Sequence, residues 1–165
     1  MAIVYATEAH LFITDMNQSP FNVGTRLVLD DFTFDQVADL NLRYGSPLSN
    51  KAAVARFFRL IVGQPYLTRR GLREMVDRGL NIATLEDVAD RDEGPFGDHL
   101  RRILVSISRH AGLAETIREI FRGRPCSDQS AFYRLRSAGI LSGDTIGDAR
   151  PRCQLYANYL ERHLL

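Results

Sequence analysis

Three groups of residues have the types and spacing to do chemistry. The first is Asp30-Asp31, which follows the apolar run Thr25-Arg26-Leu27-Val28-Leu29. Paired aspartates after an apolar strand can hold Mg²⁺ in phosphoryl transfer. Thr33 and Gln36, however, have the spacing of a capping box, which puts the aspartates in the approach to a helix. The second is Gly45-Ser46-Pro47-Leu48-Ser49-Asn50-Lys51-Ala52, which has the length of a phosphate-binding loop. Asn50 replaces its second glycine, and Ala52 replaces the hydroxyl that would reach Mg²⁺. A helix precedes it, whereas a phosphate cradle needs backbone N–H groups converging after a strand. The chain therefore has no phosphate loop, and Lys51 is expected in solvent near a helix start. The third is arginine: Arg134 and Arg136 follow Tyr133 on a candidate recognition helix, and Arg150 and Arg152 lie on a candidate wing. Guanidinium groups can read guanine or grip phosphate.

Histidine and cysteine offer less. His10, His99, His110 and His163 lack metal-ligand spacing, and no cysteine pair accompanies them, so no metal site is expected. Cys126 and Cys153 are too few for a disulfide framework, which points to a reducing cytoplasm. Cys126 precedes a helix start, which can lower a thiol pKa, but it has no evident base partner and reads as structural.

Positioning these residues is the task of a mainly helical chain. Met1–Thr7 and Thr25–Leu29 read as short strands, with a short apolar run at Leu11–Ile13 and turn residues over 16–24 between them. Phe34, Val37, Leu40 and Tyr44 have helical spacing, stopped by Gly45. Val54, Phe57, Phe58, Ile61 and Val62 form the apolar side of a second helix. Gly63 suits the left-handed residue that closes it, and Pro65 suits the first turn of a third. That third helix carries Leu67, Leu72, Met75, Val76 and Leu80, with Gly71 as an interruption and Gly79 as its end. Thr84 and Asp87 can cap a short fourth helix. Asp90–Gly97 is acidic and turn-rich and is the best internal hinge. Leu100, Ile103, Leu104 and Ile107 give a further helix, and Leu113, Ile117, Ile120 and Phe121 another. Ser127 or Asp128 caps a helix with Phe132 and Leu135. A strand from Ile140-Leu141, a turn at 143–148 and a returning strand over Arg152–Tyr156 then complete a winged-helix plan, followed by a last helix with Tyr159 and Leu160.

Gly63-Gln64-Pro65-Tyr66-Leu67 resembles the Gly-x-Pro corner of STAND-type P-loop ATPases, a branch of the AAA+ superfamily. The runs 19–24, 92–100 and 132–144 resemble the AAA-like family of bacterial signalling and conflict proteins. The resemblance covers nearly the whole chain but matches the family's C-terminal part: the end of the nucleotide core, a helical lid and a winged helix. It implies three regions, 1–32 (core remnant with a sensor strand), 33–92 (lid) and 93–165 (winged helix). It implies a polar sensor at Thr7, with Glu8 beside it, and a purine packing on Gly63, Pro65 and Tyr66. It also implies a phosphate-contacting histidine, aligned here onto His99. ATP or ADP with Mg²⁺ would bind the intact family protein, which the same resemblance implies to be a homo-oligomer. The chain alone is expected to bind nucleotide weakly and not to hydrolyse it. The P-loop core would be supplied by a missing N-terminal half, or the chain would regulate a fused effector.

Two other readings compete. One is a winged-helix DNA binder using Arg134, Arg136, Arg150 and Arg152; the other is a nucleotide-independent interaction module. A net charge of +1 weakens the first, because phosphate-driven affinity needs a basic surface. In the absence of an apolar run of about 20 residues, no membrane span is expected.

Overall fold

The computed structural model describes residues 30–165. The strands expected before residue 30, with the candidate sensor Thr7 and its neighbour Glu8, lie outside the described residues. Eight helices follow in the described part: α1 (Phe34–Arg43), α2 (Lys51–Ile61), α3 (Pro65–Arg78), α4 (Ile82–Ala89), α5 (Gly97–Ser108), α6 (Ala111–Phe121), α7 (Gln129–Ser137) and α8 (Gln154–Leu164). Two short antiparallel strands, β1 (Leu141–Ser142) and β2 (Arg150–Pro151), pair Leu141 with Pro151 and Ser142 with Arg150. The mainly helical expectation is met.

The described residues group into two compact units. One comprises 30–105 and 153–163; the other comprises 106–152 with the last two residues. The boundary expected at 92/93 falls inside the first unit. The reason is physical: Asp90–Gly97 is tied down on several sides. Tyr159 Oη donates to Asp92 Oδ1 at 2.8 Å, and Arg162 pairs with Asp90 at 2.6 Å. Arg70 Nε donates to the Pro95 carbonyl at 3.1 Å, and Arg101 donates to the Asp92 carbonyl. The stretch read as a hinge is a fastened loop.

In the first unit, α1 packs on α2, and α4 packs on both α2 and α3. Val37, Phe57, Ile61, Leu67, Leu72, Met75, Leu85, Phe96 and Leu100 form a close-packed apolar core. Thr33 caps α1 by the expected reciprocal pair: its Oγ1 accepts from Gln36 N, and Gln36 Oε1 accepts from Thr33 N. Asn50, the residue that breaks the phosphate-loop pattern, caps α2 by accepting from Ala53 N at 2.9 Å. Lys51 is exposed at the first helical position.

Three expectations are corrected. Gly71 does not interrupt α3, which runs unbroken from Pro65 to Arg78. A Cβ there would meet the Phe57 ring at 2.7 Å and the Phe96 ring at 3.2 Å, so glycine is needed for close approach. The cap of α4 is Asn81, whose Oδ1 accepts from Thr84 N at 2.9 Å; Thr84 is the bonded partner, not the cap. Finally, β2 ends at Pro151, and 154–156 is already helical. Leu155, Tyr156, Tyr159 and Leu160 are all buried, an i, i+1, i+4, i+5 pattern that outweighs the brief strand-like run.

In the second unit, α6 packs on α7, and α7 packs on β1. Asp128 caps α7 by accepting from Ala131 N, while Ser127 instead donates to the Glu119 carboxylate. The turn between the strands is a one-turn 3-10 helix, Ile146–Asp148, held by the Asp148 carboxylate. That carboxylate accepts from the backbone N–H groups of Asp144 and Thr145 and from the Thr145 hydroxyl, which hold its pKa well below the usual range.

Candidate functional site

The corner between α2 and α3 is built from two consecutive left-handed residues, Val62 (φ 50°, ψ 40°) and Gly63 (φ 69°). Helix α2 ends with Val62 N donating to the Phe58 carbonyl at 2.6 Å. Helix α3 begins with Pro65 at its first position, and Gln64 Oε1 accepts from Leu67 N at 2.6 Å. Both sequence expectations, a left-handed Gly63 and a helix-starting Pro65, are met.

What covers the corner has no signal in the sequence. Phe32 N donates to the Gly63 carbonyl at 2.8 Å, and a Cβ on Gly63 would sit 1.9 Å from the Phe32 carbonyl oxygen. Gly63 is therefore buried beneath its own chain. Its neighbours Val62 and Tyr66 are exposed, and Gln64 and Pro65 are intermediate. Gly63 shapes the corner, and the residues around it provide the surface.

Tyr66 leads to His99. The two rings lie 5.0 Å apart between centroids, tilted by 41°. His99 is the third residue of α5 and is buried. Behind it, its Nε2 is hydrogen-bonded to Tyr156 Oη at 2.8 Å, with ring centroids 5.8 Å apart. Helices α3, α5 and α8 of one unit thus contribute to a continuous run of rings, half-exposed at Tyr66 and buried at Tyr156. Burial, with a smaller contribution from the nearby Arg102 charge, lowers the His99 pKa to about 4. At neutral pH His99 is an uncharged ring, which offers stacking surface and a hydrogen bond but no charge for a phosphate.

Two of the residues expected at a nucleotide site, Tyr66 and His99, are thus in contact, and Gly63 and Pro65 adjoin Tyr66 in the chain. The sequence does not single out Tyr156. Its only signal there is its place among the apolar positions of α8, which marks a core residue as readily as a site residue.

Comparison with protein-family models gives a match over residues 1–162, to the AAA-like domain. The chain belongs to the AAA-like domain family. No curated protein and no solved structure matches it.

The other residues singled out in this AAA-like domain are dispersed. Among the described residues no cluster of three or more His, Cys, Asp or Glu side chains is arranged to hold a metal. Likewise, no helix among them is long and apolar enough to cross a membrane. Asp30 and Asp31 lead into the Thr33 cap, as the capping box implied. Cys126 is buried, and its thiol pKa is pushed up chiefly by burial, which suits a packing residue.

The four arginines of the nucleic-acid reading are engaged within their own unit or stand beside a carboxylate. Arg136 pairs with Asp144 at 3.2 Å, Arg150 donates to the Asp148 carbonyl at 3.2 Å, and Arg152 donates to the Gly139 carbonyl at 3.5 Å. Arg134 lines a shallow, open cleft of about 230 Å³ together with His110, Ser130 and Asp128. Asp144 offsets Arg136 and Asp128 stands with Arg134 in the cleft, while Arg150 and Arg152 bond main-chain carbonyls; the two carboxylates blunt the field that a polyanion would follow.

Proposed function

We propose that the chain is the nucleotide-sensing lid and winged-helix part of a STAND-like ATPase, with the α2–α3 corner and the Tyr66–His99 pair facing the base of ATP or ADP. The observation that carries this reading is the ring contact between Tyr66 and His99 beside the Gly63–Pro65 turn. A flat base favours offset stacking on aromatic faces and apolar backbone corners. The corner supplies both, with a fixed proline and no flexible charged side chain between Val62 and Tyr66.

In this reading the phosphates and Mg²⁺ are held mainly by a P-loop core supplied from elsewhere in the intact protein or by a partner. Thr7 is the candidate sensor of the γ-phosphate on that side. Closing of the lid on the base changes the assembly of a homo-oligomer or releases a fused effector. The chain by itself binds nucleotide weakly and does not turn it over, because orientation of the phosphates and metal is the larger part of such catalysis.

Amide and aromatic NMR spectra during titration with ATP and with ADP test the proposal, together with a phosphate-release assay. The expected result is fast-exchange shifts at Tyr66, His99 and residues 62–65 in the millimolar range, with no phosphate released. Shifts confined to other residues would sink the nucleotide reading. Phosphate release by the purified chain would overturn the assignment of hydrolysis to an absent core.

A further inference from the structure

Val62 breaks a local backbone rule. It is a β-branched residue held at φ 50°, ψ 40°, a region that L side chains with a branched Cβ avoid. Among the described residues only one other non-glycine residue has positive φ, the polar Ser46; the remaining cases, including the Gly79 cap of α3, are glycines. A strained core residue is normally held in place by burial, but Val62 is 36% exposed, whereas Leu60 and Ile61 beside it are 6% and 0% exposed. Backbone preference does not account for valine here, and its burial is incomplete. Strain of this kind persists where a side chain is needed by a function.

The surroundings indicate what the side chain serves. Gly63 is buried under Phe32, so it cannot form the contact surface itself. The side-chain oxygen of Gln64 is occupied at the start of α3. The accessible side chains at the turn are Val62, Gln64, Pro65 and the half-exposed Tyr66 ring, apolar apart from the Gln64 amide and the tyrosine hydroxyl. We infer that Val62 contacts the ligand directly, its two methyl groups packing on the face of the purine base and setting affinity for adenine nucleotides. This rests on the nucleotide reading above and adds a residue that the Gly-x-Pro pattern does not contain.

The inference makes stability and binding move in opposite directions. In Val62→Gly the backbone keeps its conformation without strain and the methyl contacts are lost. The melting temperature is expected to rise by about 2–4 °C. The ATP dissociation constant, followed by NMR at Tyr66 and His99, is expected to weaken about tenfold, the scale for removing a few apolar carbons from a binding surface. Val62→Ile keeps the methyl contacts and should bind ATP like the parent. Tyr66→Ala, at an exposed position, serves as the control for the nucleotide reading itself. If Tyr66→Ala weakens ATP binding and Val62→Gly does not, the Val62 contact is wrong and the nucleotide site stands. If the parent chain shows no ATP-dependent shift at Tyr66 or His99, the nucleotide reading fails, and the Val62 contact fails with it. A fall in melting temperature for Val62→Gly would mean that the side chain is structural, which also overturns the inference.

Discussion

The connection from α1 to α2 and the connection from α2 to α3 both turn the chain through two successive left-handed residues. The first uses Gly45 (φ 80°) and Ser46 (φ 60°); the second uses Val62 (φ 50°) and Gly63 (φ 69°). They differ in what holds them. The first is clamped from within by Asn41, a buried amide that donates to the Leu48 carbonyl at 3.0 Å and accepts from Leu48 N at 2.9 Å. Open space surrounds Gly45, with no atom within 4 Å of the place a Cβ would occupy. The second is braced by a segment far upstream, Phe32, whose carbonyl fills the space a side chain on Gly63 would need. A connection that seals itself needs nothing further. A corner sealed from beneath by distant backbone can leave apolar residues facing outward, and the α2–α3 corner does so with Val62 and Tyr66.

The comparison is most open to challenge through its two glycines. Gly63→Ala adds both positive-φ strain and a clash with fixed backbone, and should cost about 3–5 kcal/mol or prevent folding. Gly45→Ala adds only the strain and should cost about 1 kcal/mol. Urea unfolding of the two variants measures the gap; similar values would show that Phe32 does not brace the corner.

Next in size is a pH effect confined to the second corner, where His99 lies beside Tyr66. Its folded pKa of about 4 is below the ordinary 6.5. Below pH 6.5 the unfolded chain takes up a proton that the folded chain refuses. Stability from this group is therefore complete above pH 6.5 and is lost as pH falls towards 4, by an amount on the order of 3 kcal/mol. His99→Phe should flatten the unfolding free energy over that interval relative to the parent, and a parallel decline in both proteins would refute the assignment.

A somewhat smaller effect than that of His99 belongs to the clamp of the first connection. Asn41→Ala leaves the Leu48 N–H and C=O without their partner and should cost about 2–3 kcal/mol. Because the clamp is local, ATP-induced shifts at Tyr66 should be unchanged in that variant. Altered shifts would mean that the two connections are coupled.

Legibility follows sequence distance. The Thr33–Gln36 cap, the left-handed Gly63 and Pro65 at the head of α3 are readable because each is decided within a few residues. Asn81 escapes notice as the cap of α4 because Thr84, three residues on, satisfies the same local pattern. The role of Gly71 depends on two rings, Phe57 and Phe96, that meet only after folding. The loop at 90–97 has the composition of a hinge, and its restraint comes from Tyr159 and Arg162 on α8. At the candidate site, Tyr66 and His99 can each be named from the sequence. Their stacking, the hydroxyl of Tyr156 and the cover of Phe32 over Gly63 are tertiary facts with no local signature.

The fastening of Asp90 and Asp92 by α8 also sets an order of events during synthesis. The partner of Asp92 lies 67 residues further along the chain, and that of Asp90 lies 72 residues further. As the polypeptide leaves the ribosome, α1–α5 must wait, with acidic groups unpaired and the Tyr159 niche empty, while the whole 106–152 segment emerges. The unit that holds Asp90 and Asp92 is therefore not completed until α8 has been made, and a chaperone would meet it as an unfinished surface throughout that interval.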